Sequence, residues 1–248
     1  MHLSVAEQIR RHPELPAAVA GQLDAAWPAF YLGNVAPDFQ TISSVPREVA
    51  HFYGLPPARD VVAHEVMLEK HPEFRDPQRL SPDHAVFIAG YRAHLLLDLY
   101  WYWDILIPCF VEATGWPADH RRRFLVHNTL LTYLDSQARE SLPADAAGTL
   151  AAVRPNGWLP FAGDGNLIQW RDMLVEQLLP GAVPATVSIY AERMRMSPQE
   201  FAANLEDPGW MAEEVFRKVS LEHVLGVIDR GINDSVGLVT EYLSGREP

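Results

Sequence analysis

The stretch of sequence that decides the fold reads SPDHAVFIAGYRAHLLLDLY and covers residues 81–100. Three helix-start signals open it: Ser81 as an N-cap, a proline at the first helical position and an aspartate in the first turn. Large apolar side chains then surround His94 and Asp98, as in a helix that is buried on most sides. The stretch therefore predicts a long buried helix, which we expect to end near Ile107, before the next proline.

Helical signals also dominate the rest of the chain. Apolar residues recur at helical spacing between Val5 and Leu23, with a break near Pro13. The segments 32–46 and 142–165 are rich in proline and glycine and are expected to be mostly irregular. Further helices are expected over residues 59–70, 117–140, 166–179, 184–195, 198–205 and 210–243. No segment alternates apolar and polar residues as a half-buried strand would, so the sequence predicts an all-α domain.

Composition and charge exclude several classes of protein. With 248 residues and a net charge of −12, the chain lacks the basic surface that general binding to nucleic acids or anionic membranes requires. A single cysteine, Cys109, excludes an intramolecular disulfide framework and a multi-cysteine zinc site. No apolar run has the length of a transmembrane helix and no signal-peptide pattern is present, so we expect a cytoplasmic protein. His64-Glu65 starts a metalloprotease-like pattern, but Leu68 stands where its second histidine is required.

Two polar residues in the decisive helix need an explanation. His94 and Asp98 are four residues apart and therefore project from one side of a helix. A buried carboxylate without a partner is strongly disfavoured, so Asp98 requires a hydrogen-bond partner or a cation. A buried His–Asp pair, an ion pair with Arg92 and a metal ion would each satisfy it.

Two further candidates come earlier in the chain. Pro37 stiffens the backbone ahead of Asp38, and Gly33 permits a tight approach of the chain, so this loop could present a carboxylate. An ordinary aspartate at a turn is the alternative. His51 follows beside two aromatic residues, where a hydrogen-bonded core histidine is the alternative to a ligand.

In their order and chemistry, these elements together resemble the zinc-dependent phospholipase C family, which shares an all-helical fold with the fungal single-strand nucleases. The hallmark of that family is a Gly-x-x-x-Pro-Asp loop, then a His, and then a Gly-Tyr-x-x-His-x-x-x-Asp helix. The matching positions are Gly33, Pro37, Asp38, His51, Gly90, Tyr91, His94 and Asp98. The resemblance covers residues 1–135. We therefore divide the chain into a metal-site core over residues 1–140 and a helical C-terminal half of the same domain over residues 141–248.

The resemblance implies a set of metal ligands. The four ligands of one metal ion would be Asp38, His51, His94 and Asp98. Asp98 would also bridge to a neighbouring ion, and His2 would assist in binding that second ion.

The sequence departs from the family pattern after the bridging aspartate. Family members with three metal ions have another His soon after that aspartate, and later a His-x-x-x-Glu pair. Here Asp104 stands in the first place, and Leu131 occupies the fourth position after His127. The nearest acid is Asp135. A further ion held by Asp104, His127 and Asp135 is therefore an additional hypothesis.

The ligand types suggest the chemistry. Two imidazoles and two carboxylates suit Zn²⁺, and also Fe, Mn or Ni as divalent ions, so we expect one to three such ions. The resemblance implies a metal-dependent hydrolase that uses metal-activated water on a small-molecule or lipid phosphoester, either a phospholipid or another phosphodiester. One alternative is a metal-stabilised helical binding or structural protein without catalytic activity, because a single saturated ion is structural. A metal-free helical protein with buried polar networks is the other.

Overall fold

The computed structural model describes residues 1–114, 116, 120–182 and 185–245. Helices make up its regular structure, and these described ranges contain no β-strand, only an isolated bridge between Leu159 and Ala162. The prediction of an all-α protein is confirmed. None of the described helices combines the length and the apolar character that crossing a membrane requires.

The helices follow one another with short connections. The first six α-helices are α1 (His2–Arg10), α2 (Ala17–Ala25), α3 (Trp27–Gly33), α4 (Arg47–His51), α5 (Ala63–Lys70) and α6 (Pro82–Tyr100). The later ones are α7 (His120–Ser141), α8 (Ala146–Ala152), α9 (Asp164–Leu178), α10 (Ala185–Met194), α11 (Pro198–Glu206), α12 (Pro208–Trp210) and α13 (Leu221–Leu243). Short 3₁₀ helices cover Ala36–Thr41, Pro72–Phe74 and Pro77–Arg79, and π-helical segments cover Trp101–Val111 and Met211–Phe216.

The chain forms two compact units, each built from separate segments. The larger unit contains His2–Leu99, Leu142–Leu179 and the segment that begins at Gly231. The smaller unit contains Tyr100–Ser141 and Pro180–Arg230, together with Met1. Both units take residues from both halves of the chain, so the division at residue 140 stays a prediction.

The decisive helix begins at Pro82 as expected, but the prediction that it ends before Pro108 is wrong. The chain continues as a π-helix to Val111. A proline in an α-helix lacks the N–H that would bond to the carbonyl four residues earlier, and its ring clashes with that carbonyl. The wider π-helical turn relieves the clash. The carbonyl concerned, that of Asp104, accepts a hydrogen bond from His223 Nε2 at 2.8 Å instead.

Other helix boundaries agree with the sequence predictions at some positions and differ at others. The capping box at Ser197, in which Glu200 bonds back to the N-cap, is confirmed. The helix expected from residue 59 begins only at Ala63. α8 lies in the segment expected to be irregular, because its alanine-rich run favours a helix despite the nearby prolines. The expected start of α7, over residues 117–119, lies outside the described residues.

The core of the larger unit contains a direct backbone contact between α3 and α6. A Cβ atom on Gly33 would lie 2.2 Å from the carbonyl oxygen of Phe87, and one on Gly90 would lie 2.6 Å from that of Phe30. Real side chains cannot approach so closely, so only glycine fits at either position. The two helices therefore pack without side chains between them at this point.

Replacing Gly90 with alanine should destabilise the fold, because the added methyl group pushes α3 away from α6. We expect Gly90→Ala to lower the free energy of unfolding by about 1–3 kcal/mol, the usual range for an overpacked core, or by more. Urea unfolding followed by circular dichroism measures the change.

Gly21→Ala is the matched control, since Gly21 lies inside α2 and a methyl group added there would meet no atom within 4 Å. In an exposed helix, alanine is favoured over glycine by about 0.5–1 kcal/mol, so this variant should be slightly more stable than the natural chain. If the two substitutions changed the free energy of unfolding equally, that result would contradict the contact between α3 and α6.

Candidate metal centre

Five side chains singled out in the sequence lie together in the larger unit. His2 opens α1, and Asp38 lies on the first 3₁₀ helix. His51 is the last residue of α4. His94 and Asp98 lie one turn apart on α6. The fold thus assembles residues that are far apart in the sequence into one cluster.

The ligand-type atoms of the cluster lie close to one another. His51 Nε2 lies 3.4 Å from Asp38 Oδ1 and 3.4 Å from Asp98 Oδ2. His94 Nε2 lies 3.7 Å from Asp98 Oδ2, and His2 Nε2 lies 3.6 Å from Asp98 Oδ1. Two groups of three, His2–Asp38–His94 and His51–His94–Asp98, each keep their ligand atoms within 4.8 Å of one another. The two groups share His94.

The two separations of His51 match the spacing of two ligands of one ion, whereas those of His2 and His94 from Asp98, 3.6 and 3.7 Å, are slightly longer. Two ligand atoms, each about 2.0–2.1 Å from a tetrahedral Zn²⁺, lie about 3.3–3.4 Å apart. Strong imidazole–carboxylate hydrogen bonds would be about 2.7–2.9 Å long. The observed distances from His51 to the two carboxylates are 3.4 Å.

Several imidazole nitrogens of the cluster are buried without a hydrogen-bond partner among the described residues. They are His2 Nδ1, His51 Nδ1, His51 Nε2 and His94 Nε2. A buried polar atom without a partner costs free energy, about 1–3 kcal/mol, and calls for an explanation. A bound cation would satisfy the nitrogens that face the carboxylates.

A hydrogen bond fixes the orientation of His94. Its Nδ1 lies 2.8 Å from the carbonyl oxygen of Asn34, which can only accept, so Nδ1 carries the proton. Nε2 then faces Asp98 Oδ2 at 3.7 Å. Metal-ligating histidines commonly have such an outer partner. The ring of His2 stacks on that of His94 with centroids 3.9 Å apart.

The electrostatics of the cluster act differently on its residues: burial alone would lower the pKa of His94, but its interactions, chiefly with the negative charge of Asp98, outweigh burial and raise that pKa. Burial, and secondly the neighbouring His94, lower the pKa of His2 to about 3, so this ring is neutral near pH 7. Burial alone would raise the pKa of Asp98, but its interactions with His94, and secondly with His51, outweigh burial and hold that pKa well below its ordinary value. The carboxylate is therefore charged.

Two residues near the cluster were missed in the sequence. Arg47 Nη2 donates to Asp98 Oδ2 at 3.2 Å and to the Tyr53 hydroxyl at 2.8 Å. The Tyr53 hydroxyl in turn donates to Asp98 Oδ2 at 3.2 Å. The Arg47 guanidinium also lies over the Tyr53 ring, 4.7 Å from its centroid. Arg47 comes one helical turn before His51, and that spacing could have indicated a shared face of α4.

The sequence left open an ion pair between Arg92 and Asp98, but in the structure Arg92 pairs with Glu65. Arg92 is fully buried and donates to Glu65 Oε1 at 3.1 Å. The guanidinium next to Asp98 belongs to Arg47 instead.

Other contacts hold the elements that carry the ligands. The Tyr91 hydroxyl donates to the carbonyl of Ala50 at 2.5 Å, directly before His51. Trp170 Nε1 on α9 donates to the carbonyl of Val35 at 2.7 Å, in the loop before Asp38. The phenol of Tyr91 and the indole of Trp170 therefore support two ligand-bearing segments.

The three additional candidates lie in the smaller unit, and each has a different partner. Asp104 forms an ion pair with Arg230. His127 Nε2 accepts a hydrogen bond from Trp101 Nε1 at 3.1 Å. Asp135 lies 2.6 Å from the amino nitrogen of Met1. These three residues do not form a group with metal-ligand spacing among the described residues, so their further ion stays a hypothesis.

Comparisons with known proteins give no independent assignment. No protein-family model, curated protein or solved structure matches the chain. The residues of the cluster are therefore the basis on which a function can be inferred.

The largely buried His64, which lies outside the cluster, should make stability depend on pH. Burial, and secondly the positive charge of Arg92, lower its pKa from an ordinary 6.5 to about 4. Between these pH values the unfolded chain binds a proton at His64 that the folded chain does not, so folding is destabilised as the pH falls. This destabilisation is absent well above pH 6.5 and reaches its full size below pH 4.

The variant His64→Gln removes this titration and leaves the other histidines in place. The compared quantity is the free energy of unfolding of the natural chain minus that of the variant. As the pH falls from 7.5 to 5, this difference should decrease by on the order of 1–2 kcal/mol. Urea titrations of both proteins at the two pH values measure it. A difference that stays constant with pH would refute the buried neutral state of His64.

Proposed function

We propose that this chain is a metal-dependent hydrolase that acts on phosphoesters, either phospholipids or other phosphodiesters. The observation that carries the proposal is the cluster of buried, unpartnered imidazole nitrogens at ligand spacing from two carboxylates. The resemblance to the zinc-dependent phospholipase C family supports the same reaction.

The proposed ligands are the residues that the cluster brings together. Asp38, His51, His94 and Asp98 would hold the principal ion, and His2 would contribute to a second one. Zn²⁺ fits this donor set, as do the divalent ions of Fe, Mn and Ni. When bound, such an ion supplies a Lewis acid and lowers the pKa of water enough to provide a nucleophile near neutral pH.

The positive charge of Arg47 favours the binding of an anionic substrate. Its Nη2 is fixed by Tyr53 and Asp98, whereas its Nη1 is buried and has no hydrogen-bond partner among the described residues. A guanidinium binds phosphate oxygens through paired N–H groups, and the Arg47 side chain is 29% exposed, so a phosphodiester that approaches the cluster would meet this positive charge. Arg47 would thereby orient the substrate and stabilise charge that develops on the phosphoryl group.

One observation favours the alternative of a metal-stabilised protein without catalysis. Asp98 Oδ2 already receives hydrogen bonds from Arg47 and Tyr53, so that oxygen has less capacity for a second cation. A single ion saturated by Asp38, His51, His94 and Asp98 would be structural. Metal content together with hydrolysis distinguishes the two functions.

Asp98→Asn should remove the metal, because it takes a negative charge and a ligand oxygen from the centre of the cluster. We expect the natural chain, purified without chelator and loaded with Zn²⁺, to hold at least one equivalent by mass spectrometry. The variant should hold less than a tenth of that and lose hydrolysis of bis(p-nitrophenyl) phosphate.

Asp83→Asn is the control on the same helix, since Asp83 is exposed in the first turn of α6. This variant should keep the metal content and the activity of the natural chain. Full metal content in Asp98→Asn would refute the ligand assignment. Metal without hydrolysis in the natural chain would favour the structural alternative.

Arg47→Met should lower the rate of hydrolysis of anionic substrates more than that of uncharged ones. It should lower kcat/KM for the anionic bis(p-nitrophenyl) phosphate at least tenfold, which corresponds to about 1.4 kcal/mol. For the uncharged triester diethyl p-nitrophenyl phosphate, kcat/KM should fall much less. The metal content of the variant should equal that of the natural chain. Arg79→Met, at an exposed arginine, is the control. Equal losses on both substrates would rule out an anion contact at Arg47.

A further inference from the structure

A second candidate site lies in the smaller unit and does not depend on the proposed function, although His127, the hypothesised ligand of a further ion, is among its lining residues. A cavity of about 650 Å³ opens between α7 and the C-terminal end of α10. Cavities that bind small molecules measure about 300–1,000 Å³. Its lining includes Arg121 and Phe124 from α7, and Tyr190, Arg193 and Arg195 from α10 and the residue after it.

The charge of this cavity is opposite to that of the whole chain. Three arginines line it and none of its lining residues is acidic, although the chain has a net charge of −12. Arg193 and Arg195 have no carboxylate within ion-pair distance in the part of the chain that the structure describes. Arg193 instead lies over the ring of Tyr190, 5.5 Å from its centroid. Arg121 donates to the carbonyl of Met194 at 3.4 Å. The guanidinium groups of Arg193 and Arg195 could therefore pair with a bound anion.

The backbone at Arg195 gives an independent observation. Its N–H donates to the carbonyl of Glu192 at 3.0 Å, and that of Met196 donates to the carbonyl of Ala191 at 3.0 Å. This is the Schellman pattern that ends a helix, in which the residue at the position of Arg195 is usually glycine. Arg195 has a φ of 55°, a left-handed conformation that is strained for a side chain of its size. Backbone strain of this kind clusters at ligand-binding and active sites.

Aromatic surface completes the cavity. Phe124 is 57% exposed although it is large and apolar, and its position on α7 places it beside Arg121 in the lining. The Tyr190 ring lies on the α10 side. Flat apolar rings next to guanidinium groups can bind a molecule that combines an aromatic ring with an oxyanion.

We propose that this cavity binds an organic phosphate that carries an aromatic ring, the chemical class to which nucleoside monophosphates belong. The arginines would bind the phosphate oxygens in pairs of N–H···O contacts, and Phe124 with Tyr190 would contact the ring. The strained Arg195 supplies one of the guanidinium groups.

Isothermal titration calorimetry on the full chain tests the proposal with three probes: adenosine monophosphate, adenosine and inorganic phosphate. Chelator in the buffer removes metal, so that phosphate cannot bind at the metal cluster. Adenosine monophosphate should bind at least tenfold more tightly than either of the other two probes. Arg195→Gly should weaken its binding at least tenfold while the melting temperature stays the same or rises, because glycine relieves the strained backbone.

Two further variants keep the test independent of folding. Arg193→Gln, at an exposed position, should also weaken binding of adenosine monophosphate, whereas Arg217→Gln should change it less than twofold. Arg217 is an exposed arginine of the same unit that pairs with Glu213 and does not line the cavity. Absence of binding, equal binding of inorganic phosphate, equal binding of adenosine, or an equal loss in Arg217→Gln would each overturn the proposal.

Discussion

The close contact between α3 and α6 is the constraint on which the rest of the larger unit depends. Gly33 and Gly90 leave no side chain between the two backbones, and this brings the carbonyl of Asn34 within 2.8 Å of His94 Nδ1. That bond turns Nε2 of His94 toward Asp98. On the same helix, Tyr91 reaches the backbone before His51. One helix thus contributes the packing surface, a support for α4 and two candidate ligands.

The charges in the cluster are compatible with the proposed cation. Asp38 and Asp98 bring two negative charges close together, and the nearest fixed positive charge is the guanidinium of Arg47. Arg47 approaches only Oδ2 of Asp98, while the Nε2 atom of His51 faces both carboxylates without a hydrogen bond. Buried ionised groups are stabilised by pairing or by metal coordination. A divalent ion among these residues would satisfy both the carboxylates and the imidazoles.

The sequence predicts those parts of the structure that depend on local spacing. The all-α class, the start of α6 and the capping box at Ser197 follow from periodicity and capping, and the fold brings the five candidate residues of the larger unit together. Contacts between distant segments were not predictable. Arg47 looked like an ordinary charged residue, because only the packing of α4 against α6 places it on Asp98. Pro108 does not end the helix, because the π-helix around it has a distant partner, His223, for the carbonyl of Asp104.

The departures from the family pattern fall in the smaller unit, and this bears on the proposed chemistry. Asp104 pairs with Arg230, and His127 uses its Nε2 to accept a hydrogen bond from Trp101, so both groups are engaged in contacts within their own unit. An ion bound there would have to break these contacts first. A hydrolase built on this chain would therefore have fewer ions with which to neutralise a phosphoryl group. In the proposed reaction, the guanidinium of Arg47, which is fixed beside Asp98, would supply part of that positive charge.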